Sequence, residues 1–539
     1  MGGFPADWRT RSLDFLRDRT ADILILGGGI NGAGIARDFG LRKKLSAIPQ
    51  EIVLVDQGHF GSGTSGKNSH LIHGGLRYLK YGKIGLVRES LRERMVLRRI
   101  APHLVEPLGF LLPFQSRFDK LKYLLGLRIY DKLAGENRIV DHRVMSTAEI
   151  ADIEPRIHVE RLCGGALFYD CRVRAARLVL ENLFEAASNG ISMANYTRAE
   201  LLGKKDGVWT VQVEDRLSGI TFESRAKHVI DATGAWSNHP KPRLVRGSHL
   251  ILPRLTSDEH AISWFHSDGR IVFFIPWGSE NQLTLLGTTD VEHDNGADRV
   301  GITKAEIAYL MGIARRLFPQ QPVTPIAAFS SLRPLLTDGG SSPTAASREH
   351  KIAFDKDRVL HVQGGKYTIY RQMSEEAVGK MLKEIAPWLS APCKTAVEPI
   401  GGHGEKAIAT VTANAPALAE HYGLPRSAVL QLIGEYGVET PRFLEHLPGE
   451  SIHGVSRIHC GMLAYAVHRE MAVHLADTLF VSTTLGYERP WQLPDLQAMA
   501  TVMGMWLNWD TARVRAEAER VLRLAAIPQW MEAAEPVHA

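Results

Sequence analysis

Residues 22–34 read DILILGGGINGAG, and the reading of this stretch decides the fold. Residues 22–26 form a short, largely apolar run of the kind buried in a parallel sheet. The run ends in a glycine cluster in which Gly27, Gly29 and Gly32 fall on the spacing GxGxxG. Gly27 permits the tight turn, Gly29 lets a pyrophosphate approach the backbone, and Gly32 lets the following helix pack on the strand. That helix is predicted at about residues 31–44, with its N-terminus toward the phosphates. A second apolar run, IVLVD, ends at Asp56, 24 residues beyond Gly32, where an acid can bind a ribose hydroxyl. Strand, glycines, helix, strand and acid together predict a dinucleotide site, without separating FAD from NAD.

Two later stretches repeat the pattern of a strand ending in glycine. Residues 229–237, VIDATGAWS, run into Gly234, and residues 361–371, HVQGGKYTIYR, run through Gly364 and Gly365 toward a helix start. Backbone N–H groups at such strand ends can face an anion or a ring carbonyl. Between the first two lies SGKNSHLIHGGLRYLKYG (65–82), where His73 precedes Gly74-Gly75, and Arg77 and Tyr78 follow. Ser62, Thr64, Ser65 and Ser69 bracket a glycine-rich turn whose hydroxyls and amides can hold a diphosphate or ribityl chain. The spread of these strand ends implies one discontinuous dinucleotide domain with insertions.

The rest of the composition narrows the class. A chain of 539 residues exceeds one ordinary core, so two or three domains are expected. It is 45% hydrophobic and 23% charged, as soluble globular proteins are, with no apolar run long enough to span a bilayer and no secretory signal at the start. The four cysteines, 163, 171, 393 and 460, form no CxxC pair and read as reduced thiols. A net charge of +5 is too small and dispersed for nucleic acid, and it suits anionic substrates or an anionic lipid surface. Asp290 and Asp294, and His453, His459, His468 and His474, lack the neighbours and spacing of a metal site, so no metal is expected.

Taken in order, DILILGGGINGAGIARD, SHLIHGGLRYL, DATGAWSN, RGSHLIL, LLGTTDVEHD, SLRPLL and GGKYTIYRQMSEEAV resemble the FAD-dependent, aerobic, quinone-linked glycerol-3-phosphate dehydrogenases, within the D-amino-acid-oxidase-like flavoproteins. The match covers roughly residues 20–380 and, more faintly, the C-terminal part. It implies an α/β fold. This has a discontinuous Rossmann-like FAD-binding domain of the glutathione-reductase type, an inserted, mostly antiparallel β substrate domain and a C-terminal α-helical domain. The expected boundaries are 20–115, 156–245 and 331–390 for the FAD-binding parts, 116–155 for an insertion, 246–330 for the substrate domain and 391–539 for the helices.

The resemblance implies non-covalent FAD, held by Gly27, Gly29, Gly32, Asp56, Ser65, His73, Gly74, Gly75, Gly234, Gly364 and Gly365. It implies a small phosphorylated polyol bound by Arg77, Tyr78 and Lys366, with His249 and Arg333 as catalytic residues. A phosphate wants guanidinium forks or an ammonium, and a hydroxyl proton wants a base that works near neutral pH, which histidine is. Arg333 suits either the phosphate or the developing alkoxide. The sequence departs from the family at His70, where lysine is usual. It departs again at Arg174-Ala175, where an acidic pair is usual, and in LADTLFVSTTLG, which lacks the usual arginines. These departures permit a different phosphorylated polyol, such as erythritol phosphate. An amine or amino acid substrate and a catalytically silent flavoprotein are the rival readings.

The family passes electrons to membrane quinone, and a smaller branch uses oxygen. Residues 116–135, SRFDKLKYLLGLRIYDKLAG, interleave apolar and basic positions as an interfacial helix does, and equally as an ordinary packed helix does. The expected setting is the cytoplasm, at the inner face of the cell membrane, and a homodimer is one assembly the resemblance allows. After residue 402 helical periodicity dominates, and four to six helices are expected.

Overall fold

Strand Thr20–Leu26 lies inside a sheet whose main order is His350–Phe354, Val359–Gly364, Ile220–Asp231, Thr20–Leu26, Ile52–Val55, Ser192–Ala194. The last five of these run parallel. A sheet covered on both faces needs strands that are apolar throughout, and Ile23, Leu24, Ile25, Ile52, Val53 and Leu54 are all buried. Helices Ile30–Leu45, Ala175–Ser188 and Tyr370–Ile385 cover one face. Helix Trp8–Asp18 and strand Val208–Asp215, which brings Trp209, Val211 and Val213 over Leu24 and Val53, cover the other. The computed structural model describes residues 3–5, 7–45, 48–49, 51–238, 241–257, 259–278, 281–321, 323–336 and 348–527.

A second sheet of ten strands is antiparallel except where His260–Phe265 pairs with Val105–Pro113. It is wider than the expected span 246–330. Strands Leu71–Ile72, Val105–Pro113 and Gly165–Val173 belong to it, although they fall in 20–115 and 156–245. Arg143–Met145 joins it from the insertion, and Ala327–Leu335 crosses the expected limit at 330. Its pairings run between distant segments, as from Val105↔Val173 to Pro113↔Gly165. A run of apolar residues does not reveal which distant partner it pairs with.

Helix Arg117–Ala134 starts at Ser116, whose side chain accepts the Asp119 N–H at 3.1 Å. It buries Leu127 and Tyr130 and leaves Phe118 74%, Leu121 72% and Leu125 59% exposed. Beyond Gly404, helices Glu405–Ala413, Ala415–Tyr422, Arg426–Tyr436, Arg457–Glu470, Leu493–Leu507 and Thr511–Ala525 carry most of the chain. Residues 528–539 of the expected helical domain lie outside the described residues. Arg174, at one departure from the family pattern, pairs with Glu435 of these helices, and Arg177 meets Glu470 at 2.5 Å. That departure therefore acts at the contact between domains.

Candidate active site

A continuous cavity of about 930 Å³ is lined from both sheets. Its first wall is the loop after Thr20–Leu26. Gly27 has φ +100°, and a side chain there would press on the Ala232 carbonyl, so the turn requires glycine. A Cβ on Gly29 would meet only Ser65 Oγ, at 3.1 Å, so this backbone is open to the cavity. A Cβ on Gly32 would overlap the Gly27 carbonyl. Gly32 does not line the cavity and serves the packing of helix on loop. Ser65 Oγ accepts the Ile30 N–H at 2.9 Å and fixes the start of the helix. The first-turn N–H groups of a helix lack intrahelical acceptors, and Gly29, Ile30 and Asn31 line the cavity.

Asp56 accepts N–H bonds from Gly28 at 2.6 Å and Gly58 at 2.8 Å. Burial outweighs these bonds and pushes its carboxyl up to about 6. Gly75, Gly234, Gly364 and Gly365 all have positive φ and line the same cavity. His73 lines it too, its N–H donating to Thr368 Oγ1 at 3.2 Å. Burial, then Lys366 and Arg77, pull its imidazole down to about 3. Gly74 lies behind the wall. Its N–H donates to Asp170 at 3.2 Å, and a side chain would run into Tyr130 and Leu91. His70, at another departure from the family pattern, is not among the lining residues; its ring meets Trp277 edge-on at 4.6 Å.

The second wall is cationic. Strand Ala327–Leu335 pairs with Arg243–Pro253, and the absent side chain of Gly247 makes room for the Arg333 guanidinium. Arg333 donates to the Thr289 carbonyl at 3.1 Å and Thr288 Oγ1 at 2.8 Å, and meets Asp290 at 3.0 Å. Arg77 donates to the Tyr78 hydroxyl at 3.4 Å and stands over its ring at 5.0 Å; Lys366 Nζ stands over the same ring at 4.8 Å. Among the described residues, neither the buried Lys366 Nζ nor one guanidinium nitrogen of Arg348 has a hydrogen-bond partner. Burial pulls Lys366 down to about 8 and Arg333 to about 10. Burial would raise the Tyr78 phenol, but Arg77, Lys366 and Arg348 outweigh it and bring it to about 7.

His249 lies on the same wall. Its Nε2 is 2.8 Å from Ser69 Oγ, its ring stacks on Phe329 at 4.9 Å, and Gly287 packs against its other side. Burial, then Arg333 and His70, hold its imidazole well below the usual range, so it is neutral at physiological pH. Every expected site residue except Gly32 and Gly74 thus lines one cavity.

Sequence reasoning missed Arg348 and the part of Asp290 in this cluster. Arg348 follows no glycine and opens no element, so no local pattern marks it. Asp290 reads as part of an acidic turn, and only the fold brings Arg77, Arg333 and Arg348 to it. Away from the cavity, His103, Glu181 and His403 form a buried group with ligand atoms within 4.8 Å of one another. The two rings stack at 4.3 Å and 20°, and Arg174 and Arg177 add positive charge. This suits a packed contact between domains better than a cation.

The open glycine loop, the helix start, Asp56 at the second strand end and the glycines at 234, 364 and 365 make a cradle that fits a dinucleotide along the first wall. Residues 22–367 match the family described as FAD dependent oxidoreductase, and residues 393–514 match the C-terminal domain of alpha-glycerophosphate oxidase. The chain is 33% identical over 486 residues to D-erythritol 1-phosphate dehydrogenase of Brucella abortus, covering 86% of this chain and 94% of that protein. It is 30% identical over 535 residues to aerobic glycerol-3-phosphate dehydrogenase of Staphylococcus aureus, covering 94% of each. Among solved structures, glycerol-3-phosphate dehydrogenase from Bacillus halodurans complexed with FAD superposes with a TM-score of 0.78 at 25% identity, over 98% of this chain and 99% of that one. Glycine oxidase from Geobacillus kaustophilus shares the fold over 69% of this chain and 98% of its own, at a TM-score of 0.51 and 19% identity. The chain therefore belongs to the FAD-dependent oxidoreductases and, within them, to the glycerol-3-phosphate dehydrogenase family.

Proposed function

We propose that the protein oxidises the secondary alcohol of a phosphorylated polyol, with sn-glycerol 3-phosphate giving dihydroxyacetone phosphate. The observation that carries this reading is the buried ammonium of Lys366 and a guanidinium nitrogen of Arg348, neither with a hydrogen-bond partner among the described residues. Both lie in the same cavity as Arg77, Arg333 and the neutral His249. Buried donors without protein acceptors are costly unless a ligand satisfies them, and a phosphate dianion offers the matching acceptors. FAD, when bound, supplies the hydride acceptor at N5.

The residues that would hold FAD are Gly27, Gly29, Asp56, Ser65, His73, Gly75, Gly234, Gly364 and Gly365, with Gly32 and Gly74 shaping the wall behind them. Lys366, Arg77 and Arg348 bind the phosphate, and Tyr78 keeps two of these cations in place through its ring. His249 accepts the hydroxyl proton, and Arg333 stabilises the charge that develops on the oxygen as the proton leaves. Packing against Phe329 and Gly287 holds the imidazole in one orientation and keeps water from its faces.

A second reading has a specific observation behind it. The Brucella relative, at 33% identity, is a D-erythritol 1-phosphate dehydrogenase, so a longer polyol phosphate is the alternative substrate. We assign the electron acceptor as membrane quinone. The exposed stripe Phe118, Leu121 and Leu125 on a helix carrying Arg117, Lys120, Lys122, Arg128 and Lys132 supports a contact with an anionic lipid surface. This would put the protein peripherally at the cytoplasmic face of the membrane.

The test is anaerobic mixing of the yellow holoprotein with sn-glycerol 3-phosphate, D-erythritol 1-phosphate or glycine. Bleaching by glycerol phosphate at the lowest concentration supports the first reading, and preference for erythritol phosphate selects the second. Bleaching by glycine alone, or by none of them, overturns both.

A further inference from the structure

Asp290 sits inside the cation cluster. It is buried, with Oδ1 at 3.0 Å from Arg333 and 3.5 Å from Arg348, and Oδ2 at 3.8 Å from Arg77. It faces the cavity, so an incoming phosphate meets two of the same guanidinium groups, those of Arg77 and Arg348. Together with Lys366, the wall carries four positive side chains and this carboxylate. We propose that Asp290 is an internal counter-ion. In the free protein it takes up part of the positive charge offered to the substrate phosphate, and so it limits how tightly the site holds any small dianion. This inference rests on the reading of the cluster as a phosphate site.

The physical consequence is selectivity. Four cations without a carboxylate would hold inorganic phosphate or sulfate strongly, and the phosphorylated product as well. With Asp290 present, the dianion must compete for the arginines, and contacts to the polyol then decide which phosphate ester stays. Asp290 thus acts on specificity and on release of product, through charge rather than shape. An opposite role is conceivable for such a residue: holding Arg333 in position. That role is weakly required here, because Arg333 is also fixed by the Thr289 carbonyl and Thr288 Oγ1, and lies in the space that Gly247 leaves.

The two roles predict opposite signs. FAD-loaded wild type and Asp290→Asn are titrated with inorganic phosphate by calorimetry, and phosphate is tested as a competitive inhibitor of substrate oxidation. Removing one charge close to the bound dianion should tighten phosphate binding about tenfold or more. Asp290→Glu keeps the charge and should stay within about twofold of wild type. Phosphate bound no more tightly by Asp290→Asn than by wild type overturns the counter-ion, as does a tenfold gain in Asp290→Glu. Asp290→Ala carries the same expectation as Asp290→Asn and replaces it if the amide variant fails to fold. Absence of phosphate binding by wild type and by both charge-removing variants is a different result, because it removes the phosphate-site reading itself.

Discussion

The Nε2 atom of His249 lies 2.8 Å from the hydroxyl of Ser69, although 180 residues separate them in the chain. Ser69 belongs to the loop that borders the dinucleotide cradle, and His249 to a strand of the antiparallel sheet. The contact therefore ties the two walls of the cavity at the point where proton removal is proposed. Burial keeps the imidazole uncharged, and Ser69 supplies a rotatable hydroxyl that can donate to it or accept from it.

His249→Ala should lower the rate constant for reduction of bound FAD by about a hundredfold, the usual scale of a lost general base, with FAD content unchanged. Ser69→Ala should lower it less. The sign of the pH dependence follows from the depressed imidazole. A base whose folded value lies well below 6.5 keeps its proton-accepting form to lower pH than a free histidine. At saturating substrate, the wild-type rate constant for reduction of FAD should accordingly show no loss as pH falls from about 7 to about 6. Anaerobic stopped-flow reduction over that range checks both points, and a rate that halves near pH 6.5 would count against a neutral His249.

Lys366 gives a second pH signature. Its ammonium is pulled down to about 8 by burial, so it is charged below that value and neutral above it. The substrate phosphate becomes a dianion above about pH 6. Binding of a dianion should be best between these limits, and kcat/KM should fall as pH rises through about 8. Lys366→Met should have a lower kcat/KM at neutral pH and no further fall in that range. A wild-type profile that stays flat to about pH 9.5 would remove Lys366 from the site.

The parts of this molecule legible in its sequence are those where a local rule forces a residue type. Gly27 must be glycine because of its φ of +100°, and Gly32 because a Cβ would overlap the Gly27 carbonyl. Such constraints are written into consecutive residues, so the first strand, loop and helix emerge without a structure. His249, Arg333 and Lys366 emerge because each stands inside a recognisable motif. Arg348 does not, since what defines it is burial beside Asp290, 58 residues away. The breadth of the second sheet was hidden for the same reason, because Val105–Pro113 finds its partners at Gly165–Val173 and His260–Phe265. Asp290 looked like part of an acidic turn because its partners come from three separate segments.

Asp231, at the strand end before Thr233-Gly234, accepts from Thr233 and Ser237 and lies 2.9 Å from His361 Nδ1; Asp355 lies 3.1 Å from His361 Nε2. Although burial opposes its charge, these two carboxylates raise the His361 imidazole above its ordinary value. A raised folded value means stability that is fully present below the unfolded value near 6.5 and lost as pH rises through the folded one. His361→Gln should therefore lower Tm more at about pH 5.5 than at about pH 8.5. Thermal unfolding of the FAD-loaded proteins at both values checks this, and an equal loss at both would show that the pair acts by packing alone.

Helix Arg117–Ala134 supplies the last prediction. Phe118, Leu121 and Leu125 are three to four residues apart, so they form a single stripe, and all are more than half exposed. The opposite side is anchored by Leu127 and by Tyr130, whose hydroxyl donates to Asp170 at 2.8 Å. Exposed apolar area of this kind is unfavourable in water and favourable at a lipid interface, where the lysines and arginines around it meet anionic headgroups. Leu121→Ser with Leu125→Ser should leave FAD binding and oxidation of the soluble substrate intact, since neither residue lines the cavity. Flotation with vesicles containing phosphatidylglycerol should fall at least fivefold, because each buried leucine side chain contributes roughly 1.5–3 kcal/mol. Raised salt should weaken the binding of wild type, because the basic side chains act through screened charge. Equal flotation of the double variant and the wild type would assign this stripe to a protein partner or to no partner, and membrane attachment would have to come from another surface.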